Sequence, residues 1–305
     1  MSSSVIRALA LIFSGGAKVS ATRQIWQNWL RSGESEGKVE AAVQRHESFD
    51  DFVAKGRQTA GITVRAEFRR VHDGTGQDAV TIDFAGSTGP ANRSFWSSAL
   101  GWFSASFGPF RRFTGGDKEW DRLFVGPEYR RCAAHLSAFG EDVALTEALR
   151  WLQQLHVLSL EAGESETPTS RTRDVVRDFI NRSGLLPHGA QIAEISSQRI
   201  TLRDGEGNEV AIEQMSDGYR SVLSLTIELI RQMFAVYGTE RALKHIRAED
   251  AVVDLPGVVA IDEREDALHQ LVALVVGEAA QRDAATEVLV AVGVAARAAQ
   301  RALLR

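Results

Sequence analysis

Two short stretches of the chain carry residue types that suit phosphoryl chemistry. The first is VVAIDE (258–263), an apolar run that ends in Asp262 and Glu263. Such a run predicts a buried parallel strand whose carboxyl end presents both acids. The aspartate can orient a magnesium ion or its water ligand, and the next carboxylate can polarise an attacking water. Apolar strands that end in acidic residues are also common without such chemistry, so this stretch alone leaves both interpretations open.

The second stretch is MSDGYRS (215–221), which directly precedes apolar residues at helical spacing. Free backbone N–H groups and the hydroxyl of Ser216 at a helix start attract anions, and Gly218 lets a phosphate approach the backbone closely. The alternative is a plain N-cap, in which Ser216 or Asp217 caps the helix and Gly218 eases the turn. Glycine costs about 1 kcal/mol in a helix interior relative to alanine, so Gly218 needs a reason.

The first half of the chain predicts a helix and a hairpin. Residues 5–13 have helical apolar spacing and stop at a glycine pair, and residues 22–31 predict a short helix or an ordered loop. Residues 32–57 are polar and charged and predict no regular element. Residues 62–71 and 79–86 alternate around a glycine-bearing turn, which predicts a β-hairpin.

The second half predicts the elements that hold both stretches. Residues 141–162 and 171–183 predict helices, the second capped at Thr169 or Ser170 and stopped at Gly184. Residues 192–202 and 209–213 predict two strands, and a helix of about five turns then runs to Tyr237. Residues 239–253 are charged and irregular, and residues 255–263 predict a final strand.

Bulk composition limits the class of protein. The chain has 305 residues, 44% of them hydrophobic, which suits one large domain or two modest ones. The net charge of −5 provides no global basic field for nucleic acid. A single cysteine, Cys132, excludes an intramolecular disulfide framework, and no apolar stretch reaches 18 residues. We therefore expect a cytoplasmic protein with no membrane span.

The two stretches together, in this order, resemble the signature motif and Walker B strand of ATP-binding cassette ATPases. The likeness is to the AAA-family proteins of the SMC-, RecF- and overcoming-lysogenization-defect type. It covers residues 1–263, and three more blocks resemble this group in the same order: SFGPFRRFTGG (106–116), GEDVALTEALRWLQ (140–153) and VVRDFINRSGLLP (175–187).

The resemblance implies an α/β fold with a P-loop NTPase cassette-type core. An antiparallel β region would span about 60–86, a helical insertion about 118–190, and an atypical helical tail 264–305. The implied cofactors are ATP and Mg²⁺, and the implied assembly is a homodimer formed through the signature motif. A nuclease partner and DNA would accompany a role in DNA repair or defence against phage.

Individual roles follow from the resemblance alone. Ser216 and Gly218 would contact the γ-phosphate of ATP held by the opposite subunit, with Arg220 beside them. Asp262 would hold the magnesium ion, and Glu263 would be the catalytic carboxylate.

Two parts of the family pattern are not found in this sequence: the P-loop, and the aspartate loop and switch histidine expected after the Walker B acids. The family's P-loop, G-x-x-x-x-G-K-[ST], does not occur, although SSVIRALAL (3–11) looks like the helix that follows it. The loop would fall before or on Met1, with Ser2 where the lysine is expected. We therefore expect weak ATP binding, since charge-assisted hydrogen bonds to the phosphates would be lost. The alternative function is a non-hydrolysing interaction module derived from such an ATPase.

The other arginine and histidine residues give only weak indications of a binding site. The paired arginines of SFGPFRRF either contact a nucleotide or nucleic-acid backbone or belong to a packed aromatic loop. His269 is either a remnant of the family's histidine motif or a helix-surface residue. The seven histidines show no ligand spacing on a helix, so no zinc site is expected.

Overall fold

The computed structural model describes most of the chain up to the predicted strand end, and two residues beyond it. The described ranges are 3–16, 18–22, 24–52, 61–72, 78–97, 100–108, 129–139, 146–163, 166–261 and 289–290. These residues form a mixed α/β fold with parallel and antiparallel sheets, which confirms the predicted α/β class. No helix in these ranges combines the length and the apolar character that crossing a bilayer requires.

The elements are numbered in chain order. The helices are α1 (Ser3–Ser14), α2 (Arg130–Ala133), α3 (Thr146–Glu161), α4 (Pro168–Arg182), α5 (Asp217–Tyr237) and α6 (Thr239–His245). The strands are β1 (Glu36–Gln44), β2 (Gly61–His72), β3 (Asp78–Asp83), β4 (Ser104–Phe107), β5 (Gln191–Ile195), β6 (Ile200–Arg203), β7 (Glu209–Ala211), β8 (Ile246–Arg247), β9 (Val252–Val253), β10 (Val258–Ile261) and β11 (Leu289–Val290).

A short parallel sheet lies at the centre of the fold. Its strand order is β11–β10–β4, and β10 pairs with β4 from Val258 opposite Ser104 to Ile261 opposite Phe107. All four residues of β4 are buried, and β10 is buried after its first residue. The buried parallel strand predicted before Asp262 is thereby confirmed. Strands buried on both faces read as continuous apolar runs, which is why β10 was recognisable from sequence.

Side-chain alternation divides the core into two layers. Val259 and Ile261 belong to one apolar cluster, together with α3, α4 and α5, whereas Ala260 between them belongs to a second cluster. That second cluster contains α1 and the inward face of β2. Period-two alternation along β10 therefore positions the helical layer and the antiparallel layer on opposite faces of the parallel sheet.

The antiparallel layer contains the predicted hairpin and one strand that the sequence did not predict. β2 and β3 pair antiparallel, as expected for residues 62–86, and their turn at 73–77 lies outside the described residues. β1 pairs with β2 within the segment expected to be irregular. Its inward residues are only half-buried, and its outward ones are charged or polar except Ala42, so its apolar alternation is weak.

The helical layer consists of α3 and α4 packed beside α5 and the small antiparallel sheet β5–β6–β7. It includes the described part of the predicted helical insertion. The predicted cap of α4 is wrong by two or three residues. Thr167 is the N-cap: its hydroxyl accepts from the Ser170 N–H at 3.1 Å, and Pro168 takes the first helical position. Gly184, at φ +72°, follows the helix as expected.

Two other segments differ from expectation. The predicted strand over 192–202 is two strands, β5 and β6, because Ser196 forms a turn with Arg199. The segment 239–253, expected to be irregular, contains α6 and the β8–β9 pair. The predicted helical tail lies outside the described residues except for Leu289 and Val290, which pair in parallel with Val258 and Val259.

The orientation of α5 is fixed at its carboxyl end. The Tyr237 hydroxyl donates to the Pro256 carbonyl, and the Gly101 N–H donates to the Val236 carbonyl at 3.1 Å. The end of α5 therefore lies beside the beginning of the parallel strands. The helix has 21 residues and spans about 30 Å at 1.5 Å per residue. Its beginning, at Ser216, is thus far from that edge of the sheet.

Candidate functional site

The start of α5 places Ser216 at the N-cap position, but its side chain does not cap the helix. Ser216 has extended backbone angles (φ −61°, ψ 152°) and makes no side-chain hydrogen bond to the first turn. The residue is exposed. Asp217, the other predicted cap, is the first residue inside the helix and pairs with Arg220. Neither side chain therefore does what a plain N-cap would require.

Nothing among the described residues requires glycine at position 218. Its φ lies outside the left-handed region, so the backbone is not strained there. A Cβ at this position would meet no described atom within 4 Å. Neither strain nor close packing in the described part of the chain explains the glycine. What its bare backbone provides is access from outside to the N–H groups of the first turn, which have no partner within a helix.

Arg220 is held along the side of the helix start. Its guanidinium pairs with the Asp217 carboxylate, and its Nη1 donates to the Glu213 carbonyl at 3.4 Å. The side chain is only 19% exposed. Arg220 thus balances the charge of Asp217 beside Ser216 and Gly218.

A groove of about 540 Å³ lies beside Ser216. Tyr219, which is 42% exposed, forms part of its wall together with apolar side chains. The other described lining residues are His188, Ala190, Leu202, Asp204, Gly205, Glu206, Val210 and Met215. All of them come from residues 188–219, and none comes from α1, β4 or β10. We call this groove the signature groove.

Asp204 orders the turn at the rim of the signature groove. Its Oδ1 accepts from the backbone N–H groups of Glu206 at 2.9 Å and Asn208 at 2.8 Å. The Asn208 side chain donates to Oδ2 at 3.0 Å. These hydrogen bonds, first of all the one from the Asn208 side chain, lower the pKa of Asp204. This rim of the groove therefore carries a fixed negative charge.

The second predicted group begins where β10 ends. Ile261 lies opposite Phe107, the last residue of β4, so both strands end at one edge of the sheet. At that edge the Gly108 N–H donates to the Ser137 Oγ at 3.3 Å, and a Cβ on Gly108 would lie 2.1 Å from the Ser137 carbonyl oxygen. Asp262 and Glu263 directly follow Ile261 in sequence and lie outside the described residues, as does His269. The arginines of SFGPFRRF also lie outside them.

A buried polar chain under β4 was not predicted from the sequence. His135 is fully buried between two serines: its Nε2 lies 3.2 Å from the Ser104 Oγ and its Nδ1 lies 2.8 Å from the Ser106 Oγ. Burial, and then the charge of Arg131, lower the pKa of His135 to about 3. His135 is therefore neutral at physiological pH. Serines at alternate positions of an otherwise apolar strand were the only sequence signal for this arrangement.

No set of three or more His, Cys, Asp or Glu side chains in the described ranges is arranged to hold a metal ion. Among the residues predicted to bind nucleotide, the structure brings Ser216, Gly218 and Arg220 together in one exposed turn. Asp262 and Glu263 are the expected source of metal binding and catalysis. No protein-family model matches the chain and no curated protein is significantly similar to it, so the family resemblance depends on the sequence motifs alone.

Proposed function

We propose that this chain is an ATPase of the ATP-binding cassette type, similar to SMC- and RecF-like proteins. It binds Mg²⁺-ATP between two copies of itself and hydrolyses it. The observation that carries the proposal is the start of α5. There an exposed serine hydroxyl without a capping role stands beside a glycine that nothing in the chain requires.

The chemistry of that turn favours a phosphate. The first N–H groups of α5 have no helical partner, and the helix dipole adds about half a positive charge at this end. Gly218 removes the side chain that would keep a phosphate at a distance, and the Ser216 hydroxyl is free to donate. Arg220 offsets the negative charge of Asp217 in the same turn.

The position of the turn favours a second copy as the source of the nucleotide. The end of α5 contacts the beginning of the parallel strands, and its start lies about 30 Å away. The described residues around the signature groove include none from α1, β4 or β10. A nucleotide that touches Ser216 therefore needs its other contacts from elsewhere, and the cassette arrangement provides them from the opposite subunit.

The remaining roles follow the same proposal. The parallel strands with α1 on one face and α5 on the other form the incomplete P-loop NTPase cassette-type core. Asp262, directly after β10, holds Mg²⁺, and Glu263 polarises the attacking water. DNA repair or defence against phage, with DNA and a nuclease as partners, is inferred by analogy with the family.

A second candidate function is a non-hydrolysing interaction module with the same dimer surface. The observation that favours it is that G-x-x-x-x-G-K-[ST] does not occur in the 305 residues. The two candidates differ in one property: the module forms the dimer without releasing phosphate.

Phosphate release at millimolar Mg²⁺-ATP tests the proposal, with four proteins compared. We expect the wild type to hydrolyse ATP and Glu263→Gln to be about 10²–10⁴-fold slower, because the water loses its base. Ser216→Arg should also abolish turnover, since a bulky cation blocks the phosphate site. Ser48→Arg adds the same charge at another exposed serine and should leave the rate unchanged. Equal rates for wild type and Glu263→Gln would contradict the assignment.

A further inference from the structure

A cavity of about 190 Å³ lies near the beginning of β4, at the edge of the sheet opposite to the ends of β4 and β10. Three cationic side chains line it: Lys18, Arg130 and Arg131. We call it the cationic cavity. Its other described lining residues are Trp96, Ser97, Phe103, Ser104, Ala134, Gln232 and Val236, so no carboxylate is among them.

Each cation contacts only neutral groups within the described part of the chain. Arg130 Nη1 donates to the Ala235 carbonyl at 2.6 Å. Arg131 Nη1 donates to the Trp102 carbonyl and, at 3.4 Å, to the Ser104 hydroxyl. The Asp50 carboxylate is near enough to counter part of the effect of burial on the pKa of Arg131, but no salt bridge in the described ranges pairs any of the three cations. Removing charges from water without a paired counter-charge is costly, so an anion in the cavity would reduce this cost.

The two remaining cation contacts are with aromatic rings. The Lys18 ammonium lies 4.5 Å from the Tyr129 ring centroid, and the Arg131 guanidinium lies 4.9 Å from that of Phe95. Arg131 Nε is buried and has no hydrogen-bond partner among the described residues. Burial, and then the neighbouring Arg130, lower the pKa of Arg131 to about 10, so the guanidinium stays charged at neutral pH. The cavity thus holds positive charge and an unused donor.

Gln232 gives the cavity an unused acceptor. The residue is 5% exposed, and its Nε2 donates to the Glu228 carboxylate at 2.6 Å. This bond identifies which amide atom is the nitrogen, and the other atom, Oε1, has no hydrogen-bond partner in the part of the chain that the structure describes. An unsatisfied buried oxygen requires a donor. A ligand that satisfies the whole cavity must therefore be an anion that also carries a hydrogen.

The size of the cavity limits the ligand further. At about 30 Å³ per water molecule, 190 Å³ corresponds to about six waters. Pockets for drug-sized ligands begin at about 300 Å³. A nucleotide is too large to enter, whereas a tetrahedral oxyanion fits.

We propose that the cationic cavity binds a protonated tetrahedral oxyanion, either inorganic phosphate or the phosphate group of a small monoester. Its oxygens accept from Arg131 Nε, Arg130 and Lys18, and its P–OH group donates to Gln232 Oε1. Arg130 Nη1 already donates to the Ala235 carbonyl, so the oxyanion accepts from the other N–H groups of Arg130. Sulfate carries no proton at neutral pH, so the site distinguishes phosphate from sulfate.

This site is independent of the proposed nucleotide site. It lies beside the end of α5 and the beginning of β4, whereas Ser216 lies at the other end of the same helix. A variant at one site should therefore leave phosphate binding at the other unchanged.

Isothermal titration calorimetry of the full chain with phosphate, sulfate and glycerol 3-phosphate tests the proposal. We expect phosphate to bind at least about tenfold more tightly than sulfate. Arg130→Gln should weaken phosphate binding about tenfold or more, because a charge-assisted bond is lost. Arg171→Gln removes the same charge at an exposed position on α4 and should not change phosphate affinity.

Gln232→Leu provides the second variant. It removes the acceptor Oε1, so phosphate should bind only about as tightly as sulfate. The affinity for sulfate should stay the same. Glycerol 3-phosphate binding as tight as phosphate supports a monoester ligand, and weaker binding supports the free ion. Circular dichroism of each variant confirms folding. No phosphate binding by the wild type, equal binding of sulfate, or equal losses in Arg130→Gln and Arg171→Gln would overturn the proposal.

Discussion

The Tyr237 hydroxyl donates a hydrogen bond to the Pro256 carbonyl and thereby joins the last turn of α5 to the segment that leads into β10. The helix that begins with residues 215–221 is thus joined, at its far end, to the segment that leads into β10. Tyr237 is 2% exposed, and burial raises the pKa of its hydroxyl, so the hydroxyl keeps its proton. Ser216 lies at the opposite end of α5 from this contact, and Ile261 is the last residue of β10.

Gly218→Ala separates a functional glycine from a structural one. Because its φ is not left-handed and its Cβ would meet open space, we expect alanine to stabilise the chain by up to about 1 kcal/mol. ATP turnover should fall in the same variant, since a methyl group now covers the backbone N–H groups. Urea denaturation and a phosphate-release assay measure the two effects. Lower stability together with unchanged turnover would make Gly218 a structural residue.

Gly108→Ala is the matched comparison, and we expect it to lower the stability that Gly218→Ala should raise. Its Cβ would lie 2.1 Å from the Ser137 carbonyl oxygen, so the backbone around β4 must shift. Overpacking of this kind costs about 1–3 kcal/mol. Urea denaturation should show this loss, and an unchanged midpoint would show that the loop after β4 adapts freely.

Ser216→Ala and Thr167→Ala compare two N-cap positions. The Thr167 hydroxyl accepts from Ser170 N–H, so its removal should cost about 1 kcal/mol. The Ser216 hydroxyl makes no such bond, so its removal should change stability by less than about 0.5 kcal/mol. Thermal denaturation of both variants decides this. Equal losses would mean that Ser216 is an ordinary helix cap in solution.

His135 makes stability depend on pH in the acidic range. Its folded pKa of about 3 lies below the unfolded value of about 6.5, so the unfolded chain binds the extra proton between these values. Stability should therefore be complete above pH 6.5 and fall as pH decreases, by about 2 kcal/mol between pH 7 and pH 5. His135→Leu should be less stable at pH 7 but lose less on acidification.

His188→Asn is the control for the predicted effect of His135 on acid stability. His188 is exposed and has φ +54°, a backbone conformation that asparagine tolerates. Its replacement should leave the acid dependence as in the wild type. An acid dependence that is identical in all three proteins would show that other groups, and not His135, cause it.

Cys132 should resist thiol reagents in the folded chain. Its side chain is buried, and burial raises the pKa of the thiol to about 11, so only about a thousandth is thiolate at pH 8. A chromogenic disulfide reagent should label it only after denaturant is added. Rapid labelling of the native chain would mean that the core around α2 opens.

Long periodic segments were predictable because their own pattern determines them. The five turns of α5 and the buried strand before Asp262 were found from sequence for this reason. β1 was missed because its position depends on pairing with β2, which no local pattern reveals. Its inward residues are only half-buried, so its sequence shows little apolar alternation. The environment of His135 depends on Ser104 and Ser106, which lie about thirty residues earlier, so no local pattern reveals it.

The candidate site could be located from sequence but not interpreted. A plain N-cap and a phosphate-binding turn use the same residue types, and only the geometry at Ser216 and Gly218 distinguishes them. The cationic cavity was not predicted at all. Its members come from five separate segments, and a lone arginine pair such as Arg130 and Arg131 resembles many solvated surface pairs.

Sedimentation velocity of the Glu263→Gln chain with millimolar Mg²⁺-ATP tests the proposed ATPase most directly. Slowed hydrolysis should keep ATP between two subunits, so we expect a dimer that is absent without nucleotide. Adding Ser216→Arg to the same chain should return it to a monomer, and adding Ser48→Arg should leave the dimer intact. A monomer in every sample, or a dimer that Ser216→Arg does not disrupt, would contradict a nucleotide site completed by the start of α5.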